Sequence, residues 1–203
     1  MLGTPAVRRR RSRTMTDSRD IPATQRFAWI LGLAGLLPFA AHAMFSWLSP
    51  PSELDGVLRS QAHYAASILT FLGALHWGVT LASPSIVDGA AVTRMLWSVI
   101  PSIFCWIVTL YPTDVSLPLL FAGLAVALVV DWLLYRAAPV PRWFLTLRTV
   151  LSAGALAAVG ASWAAMAVRL AGAARGRPGP PPHPPARAHP RKTQHRKPTP
   201  PAH

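Results

Sequence analysis

Five long apolar stretches dominate this sequence and constrain its fold more than any other feature. They cover residues 27–48, 62–82, 92–111, 115–135 and 144–168. A helix that crosses the hydrocarbon core of a bilayer needs about 20 mainly apolar residues, and each stretch meets that length. Charged residues make up only 13% of the chain, against about a quarter in soluble proteins. The sequence therefore predicts an all-α integral membrane bundle of five transmembrane helices.

Short breaks rich in turn-forming residues separate the stretches. They are Ser49-Pro50-Pro51-Ser52, Ser83-Pro84-Ser85, Pro112-Thr113-Asp114 and Pro139-Val140-Pro141. Such short loops place sequential helices side by side and antiparallel, so residues 27–168 are expected to form one domain. Pro38 and Pro101 fall inside the first and third stretches and are expected to kink them, because proline removes a backbone donor.

Small residues at helical spacing predict where the helices approach one another most closely. These residues are Ala28, Gly32, Gly73, Gly154, Ala158 and Ser162. Trp and Tyr favour the two water–lipid interfaces, and along a five-span zigzag they fall into two groups. One group is Trp29, Trp77, Trp97, Trp132, Tyr135 and Trp143, and the other is Trp47, Tyr64, Trp106, Tyr111 and Trp163.

Basic residues predict the orientation of the bundle. Seven arginines precede the first span, and Arg94, Arg136, Arg142 and Arg148 fall on the same side, whereas the opposite loops hold Arg59. Cytoplasmic loops carry an excess of Lys and Arg. We therefore expect a cytoplasmic amino terminus and, after five crossings, a carboxyl terminus outside. The basic carboxyl-terminal tail opposes this count, but every internal loop agrees with it.

The two ends of the chain hold most of its net charge of +13. Residues 169–203 are predicted to be a disordered Pro/Arg/His-rich tail, because residues 171–203 include ten prolines and no acid. The four tail histidines are too widely spaced to form a prearranged metal site. A solvated tail is the favoured interpretation, and loose contact with anionic lipid or with nucleic acid, without specific recognition, is the alternative.

The basic arm of residues 1–26 allows three interpretations. Arginines ahead of an apolar run that ends in Ala41-His42-Ala43 resemble a secretory signal peptide, but a run of about 22 residues is long for a signal core. An acid-free opening also fits an organelle transit peptide. The third interpretation is a plain cytoplasmic arm, with either Met1 or Met15 as the start.

Four ionisable residues within the spans are the candidate functional residues, because charge at membrane depth is costly. They are His76, Arg94, Asp131 and Arg148, and the zigzag brings all four toward the cytoplasmic leaflet. Such a cluster can bind an anion, a lipid headgroup or a relayed proton, and a histidine can titrate near neutral pH. The structural alternatives are an Asp131–Arg148 ion pair between adjacent helices, an arginine anchor at the interface for Arg94, and a helix–helix hydrogen bond for His76.

Catalytic and cofactor motifs are missing from the sequence. It has no zinc-binding His-Glu-x-x-His helix, nucleophile elbow, phosphate loop or dinucleotide-binding turn. Asp131 is the lone acid within the five stretches, and Cys105 is the lone cysteine, so a paired-carboxylate mechanism and a disulfide are both excluded. We therefore predict a protein that is not an enzyme and that needs no cofactor or metal.

Three uncommon motifs within the apolar stretches resemble a known family. They are Arg26-Phe27-Ala28-Trp29-x-Leu31-Gly32-Leu33-Ala34-Gly35-Leu36-x-Pro38-Phe39, Phe71-Leu72-Gly73-Ala74-x-His76-Trp77-Gly78 and Leu96-Trp97-Ser98-Val99-x-Pro101-Ser102, and Trp143-Phe144-x-x-Leu147-Arg148 adds a fourth. In these motifs the chain resembles the domain-of-unknown-function family numbered 3429, from about residue 25 to residue 167. The resemblance implies a small multi-pass protein of bacterial inner membranes, with mitochondrial relatives and no established activity. It supplies no catalytic residue, and both basic ends lie outside it.

Two functional hypotheses follow from these features. The first is a non-enzymatic scaffold or accessory factor that acts through the lipid bilayer and membrane-protein partners. The second is a small proton-linked transporter or permease that uses the four ionisable residues, and a membrane enzyme with a lipid-soluble substrate is a distant third. We expect the bacterial inner membrane as the location, with the mitochondrial inner membrane as the alternative.

Overall fold

Helices account for all the regular secondary structure in the computed structural model, which describes residues 22–86 and 88–175. The helices are α1 (Ala23–Ala34), α2 (Leu36–Leu48), α3 (Pro51–Ala82), α4 (Asp88–Val108), α5 (Thr113–Tyr135) and α6 (Arg142–Arg175). Helices α1 and α2 together make one span, so the described residues contain five units that are long and apolar enough to cross a membrane. The prediction of an all-α bundle with five spans is confirmed.

The first span is interrupted at Gly35, one turn before Pro38. Proline has no N–H to donate to the carbonyl four residues earlier, and its ring crowds that carbonyl. The interruption expected from Pro38 therefore lies between α1 and α2. The Tyr64 hydroxyl donates a 2.8 Å hydrogen bond to the Gly35 carbonyl and ties the break to α3. Helix α4, by contrast, continues through Pro101 without interruption.

Three boundaries differ from the predicted ones. Helix α1 begins at Ala23, inside the predicted amino-terminal arm, and α3 begins at Pro51, well before the predicted start at residue 62. Helix α6 continues to Arg175, so residues 169–175 are helical and the predicted tail boundary at residue 169 is wrong. Hydropathy marks where the lipid ends, whereas backbone hydrogen bonds continue a helix beyond the bilayer. The rest of the predicted arm and tail, residues 1–21 and 176–203, lies outside the described residues.

Helix α3 lies at the centre of the bundle and packs against α2, α4, α5 and α6. Its buried face carries Leu58, Ala62, Ala65, Leu69 and Leu72, which meet Leu117, Leu120, Leu124, Ala155 and Val159 from α5 and α6. Helix α1 is held less firmly, since it packs against α2 and α6 and none of its residues is buried. The core therefore consists of α2 to α6, with α1 at its edge.

Glycines mark the closest approaches between helices. A Cβ added at Gly73 would lie 2.7 Å from the Ser98 carbonyl oxygen and 3.0 Å from Cγ of Pro101, so α3 and α4 meet there. A Cβ at Gly154 would lie 2.8 Å from a methyl carbon of Leu36, at the contact of α6 with α2. Pro101 of α4 therefore packs against Gly73 of α3, which has no side chain.

Candidate functional site

A single buried carboxylate, that of Asp131, joins three helices of the bundle. Nε2 of His76 on α3 lies 2.9 Å from its Oδ1, and the guanidinium of Arg148 on α6 donates to its Oδ2. The three side chains are almost completely inaccessible, with exposed fractions of 0% for His76, 1% for Asp131 and 5% for Arg148. Because a carboxylate can only accept, the hydrogen bond places a proton on Nε2 of His76.

The chain order explains why these residues meet. Asp131 lies in the last two turns of α5 and Arg148 in the second turn of α6, and the two helices are joined by the short segment 136–141. Antiparallel neighbours with a short loop bring those two turns to the same depth. The ion pair predicted between adjacent helices is therefore present. The centrally placed α3 adds His76 from the opposite side.

Tyr135 is a member of the cluster that sequence reasoning missed, because it was assigned to an interfacial belt. It is 2% exposed, and its ring stacks on the His76 imidazole with a centroid distance of 4.3 Å and an interplanar angle of 13°. The signal was present in the sequence: Tyr135 follows Asp131 by four residues and so occupies the same face of α5.

Arg94 on α4 completes the cluster, and its position corrects the expectation of an interfacial anchor. Its exposed fraction is only 3%, so the side chain lies inside the protein rather than among headgroups. Its guanidinium donates a hydrogen bond to the Leu134 carbonyl, with Cζ 5.9 Å from the centre of the Tyr135 ring. All four predicted residues therefore lie around the carboxyl-terminal end of α5.

Several polar atoms of this cluster have no hydrogen-bond partner among the described residues. They are Nδ1 of His76, Nη1 of Arg94, the Tyr135 hydroxyl and Nε of Arg148. Buried polar atoms are nearly always paired in folded proteins, and an unpaired group needs an explanation. The formal charges are also unbalanced, since the cluster contains two guanidinium groups and one carboxylate. The atoms of Arg94, Tyr135 and Arg148 are donors, whereas Nδ1 of His76 is an acceptor when the proton is on Nε2. The arrangement thus offers three spare donors and an excess positive charge.

A surface cavity of about 630 Å³ lies between the end of α5 and the start of α6. Its wall includes Tyr135, Arg136 and Arg142, so the cavity reaches the cluster at Tyr135. Arg136 lies over the Trp132 ring, with Cζ 5.4 Å from the ring centre. The exposed arginines give the mouth of this cavity the same sign of charge as the buried site.

Other buried polar side chains inside the bundle were not foreseen from the sequence. Ser46 on α2 donates a 3.2 Å hydrogen bond to Ser162 on α6, both buried, and Gln61 on α3 is 0% exposed. The side chains of the described residues contain no group of three His, Cys, Asp or Glu placed to hold a metal ion. The chemistry that the Asp131 cluster offers is hydrogen-bond donation, positive charge and one buried imidazole.

Comparison with known sequences agrees with the resemblance predicted from the motifs. Residues 24–164 match the family described as "Protein of unknown function (DUF3429)". Transmembrane protein 69 of Xenopus tropicalis is 32% identical over 140 residues, which are 67% of this chain and 53% of that protein. Transmembrane protein 69 of Mus musculus is 30% identical over 141 residues, 68% of this chain and 54% of that protein.

The chain spans about half the length of these curated relatives. No solved structure matches it significantly. The matched residues include the first four apolar stretches completely and the fifth as far as residue 164. They also include every member of the Asp131 cluster. The chain therefore belongs to the DUF3429 family of multi-pass transmembrane proteins of unknown function.

Proposed function

We propose that this protein is a small proton-linked permease for anions, with His76, Arg94, Asp131 and Arg148 as its binding group. The observation that carries the proposal is the set of unpartnered donors around one shared carboxylate. A bridge that served only to hold helices together would be expected to use all its hydrogen-bonding atoms, because an unsatisfied buried network is less stable than an apolar core.

The charge of the site supports an anion as the transported solute. With a neutral His76, the two arginines and Asp131 sum to one positive charge, and protonation of the imidazole adds another. An anion that accepts hydrogen bonds from Nη1 of Arg94 and from the Tyr135 hydroxyl would neutralise this excess. Charge that is buried without a counterion is expensive, so the site favours an anion over a cation.

The coupling to protons rests on His76. Its imidazole already shares Asp131 with Arg148, so a proton gained at Nδ1 changes the field that both arginines experience. Histidine is the side chain whose ordinary titration range lies near neutral pH. Binding of an anion and binding of a proton therefore favour each other at this site. The arginine-lined cavity at the end of α5 is the route by which the anion would enter.

The scaffold hypothesis draws no comparable support from the structure. Apolar side chains such as Leu96, Ile103 and Trp106 are exposed on α4, but lipid and partner helices require the same surface. The buried cluster, in contrast, has a cost that a purely apolar scaffold would avoid. The permease is therefore the function that the geometry supports better.

We place the protein in the bacterial inner membrane, with the amino terminus in the cytoplasm and the Asp131 cluster in the cytoplasmic leaflet. The arginine count of the loops supports this orientation. The mitochondrial inner membrane is the alternative, with the arginine-rich face toward the matrix. In either case the anion would reach the cluster from the more basic side of the membrane.

The proposal is tested with purified protein in liposomes that contain pyranine, a pH-sensitive dye. An inward gradient of sodium chloride or of sodium phosphate is imposed, and acidification of the interior is recorded. For at least one of the two anions, we expect the wild type to acidify the vesicles several-fold faster than protein-free liposomes. His76→Asn should abolish the increase, because asparagine can still donate to Asp131 but cannot titrate.

His63→Asn is the matched control. His63 is on the same helix as His76, is exposed, and contacts the Arg59 carbonyl through Nδ1 at 2.8 Å. Its replacement should leave the acidification rate unchanged. The proposal is overturned if wild type and empty liposomes acidify equally with both anions, or if His76→Asn retains the wild-type rate while circular dichroism shows that it is folded.

A further inference from the structure

A second cavity, of about 340 Å³, lies between α1, α2, α3, α5 and α6. Its lining is almost entirely apolar and includes Leu31, Phe39, Phe71 and Phe144. Its volume falls within the range of about 300–1,000 Å³ found for small-molecule sites. It is separate from the arginine-lined cavity of the proposed permease, because the two have no lining residue in common.

The cavity opens sideways, toward the lipid. Helices α1 and α3 both line it but do not pack against each other. The residues at this gap are accessible, with exposed fractions of 69% for Leu31 on α1 and 57% for Phe71 on α3. A molecule dissolved in the bilayer could thus enter between the two helices without crossing water.

Two polar side chains interrupt the apolar lining, and both belong to α6. Arg148 and Ser152 are four residues apart and so share one face of the helix. They are 5% and 3% exposed, and Nε of Arg148 and Oγ of Ser152 have no hydrogen-bond partner among the described residues. Both residues line the cavity, and each of the two atoms has the capacity to donate one hydrogen bond.

The charge of Arg148 at the wall of this cavity is balanced by Asp131, whereas the whole Asp131 cluster carries an excess positive charge. Arg148 is already paired with Asp131, and Arg94, which supplies the excess positive charge, does not line the cavity. An anionic group here would lie next to the Asp131 carboxylate. A neutral group that accepts hydrogen bonds is therefore the better complement to the two donors.

We infer that this cavity binds a neutral lipid-soluble molecule whose polar end is a carbonyl oxygen, held by Arg148 and Ser152. The apolar remainder of the molecule lies against the leucines and the three phenylalanines. A quinone ring with an alkyl chain and a fatty acyl ester both present this chemistry. The inference shares Arg148 with the proposed permease but does not require transport.

The test is native mass spectrometry of the full chain in a non-ionic detergent, titrated with three probes that carry the same ten-carbon chain. The probes are a decyl-substituted benzoquinone, methyl decanoate and decylbenzene, of which the last lacks a carbonyl. We expect saturable one-to-one binding of at least one carbonyl probe, about ten-fold tighter than that of decylbenzene. Tighter binding of the quinone would assign a ring compound as the ligand, and tighter binding of the ester would assign an acyl ester.

Matched variants locate the site. Ala28 lines the cavity, so Ala28→Phe should fill it and remove binding, whereas Ala40→Phe on an exposed surface of α2 should not. Ser152→Ala should weaken the binding of the carbonyl probes several-fold and leave the binding of decylbenzene unchanged. Ser67→Ala, which loses a hydrogen bond to the Tyr64 carbonyl in its own helix, is its control.

Two outcomes would overturn the inference: equal affinity for decylbenzene and both carbonyl probes, or undiminished binding by Ala28→Phe. The binding test is independent of the transport test, because no gradient is present and His76, on which proton coupling rests, does not line this cavity. If the wild type binds the carbonyl probes but does not acidify the liposomes, the proposed permease function is rejected and the inferred binding site is retained.

Discussion

His76 and Asp131 are separated by 55 positions in the chain and are joined by a 2.9 Å hydrogen bond inside the bundle. The second carboxylate oxygen of Asp131 accepts from Arg148, so both oxygens are engaged. Any change in the charge of His76 is therefore transmitted to the arginine through one shared carboxylate. This linkage between α3, α5 and α6 underlies both the stability of the cluster and its proposed chemistry.

Exchange of the two charges separates the structural role of the cluster from the functional one. Asp131→Arg and Arg148→Asp should each reduce accumulation of the protein strongly, because removal of one partner from a buried pair costs about 3–5 kcal/mol. The double exchange should restore accumulation, measured by immunoblot of isolated membranes. It should not restore anion-dependent acidification, because the carboxylate has moved from α5 to α6. Full recovery of transport in the double variant would refute the assigned role of His76–Asp131.

Gly73→Ala should destabilise the bundle, since the added methyl would lie 2.7 Å from a backbone oxygen of α4 that cannot rotate away. Overpacking of this kind costs about 1–3 kcal/mol, and we expect a lower Tm in detergent. Gly78→Ala is the control on the same helix, because nothing lies within 4 Å of its Cβ position. Equal Tm values for the two variants would contradict the close contact of α3 with α4.

Arg169 ties the extended end of α6 to the end of α2. Its guanidinium donates to the Ser49 carbonyl at 2.7 Å and to the Trp47 carbonyl at 2.6 Å. Arg169→Ala should loosen this contact, and Arg169→Lys should loosen it as much, because one ammonium group cannot reproduce the planar fork of donors. Faster hydrogen exchange of the backbone amides of residues 45–50 in both variants would show that the contact between α6 and the end of α2 is lost. Arg175→Ala, which removes a contact within α6 alone, should leave that exchange unchanged.

The predicted orientation is tested by cysteine labelling in intact cells, after replacement of the native buried Cys105 by alanine. Ser85 and Tyr111 are exposed in the connections on either side of α4. A membrane-impermeant maleimide should label Tyr111→Cys in intact cells and should label Ser85→Cys only after permeabilisation. The reverse pattern would place the Asp131 cluster in the outer leaflet and overturn the direction of anion entry.

The number of spans, their approximate positions and the loops between them were predictable from the sequence. Hydropathy and length are local quantities, and a segment of about 20 apolar residues crosses a bilayer whatever its neighbours do. The four ionisable residues at membrane depth were identifiable for the same reason. Their rough level followed from the zigzag, and the Asp131–Arg148 pair followed from the short loop between α5 and α6.

Only the tertiary structure decided how each helix is rotated about its axis. Apolar residues are spread evenly around helices α5 and α6, so hydropathy does not show which side of them is buried. That rotation places His76 and Arg148 on the two oxygens of Asp131, turns Tyr135 inward and draws Arg94 away from the headgroups. It also leaves α1 apart from α3 and so opens the lateral cavity. These features depend on packing between segments far apart in the chain, whereas the apolar stretches that carry them are properties of each segment alone.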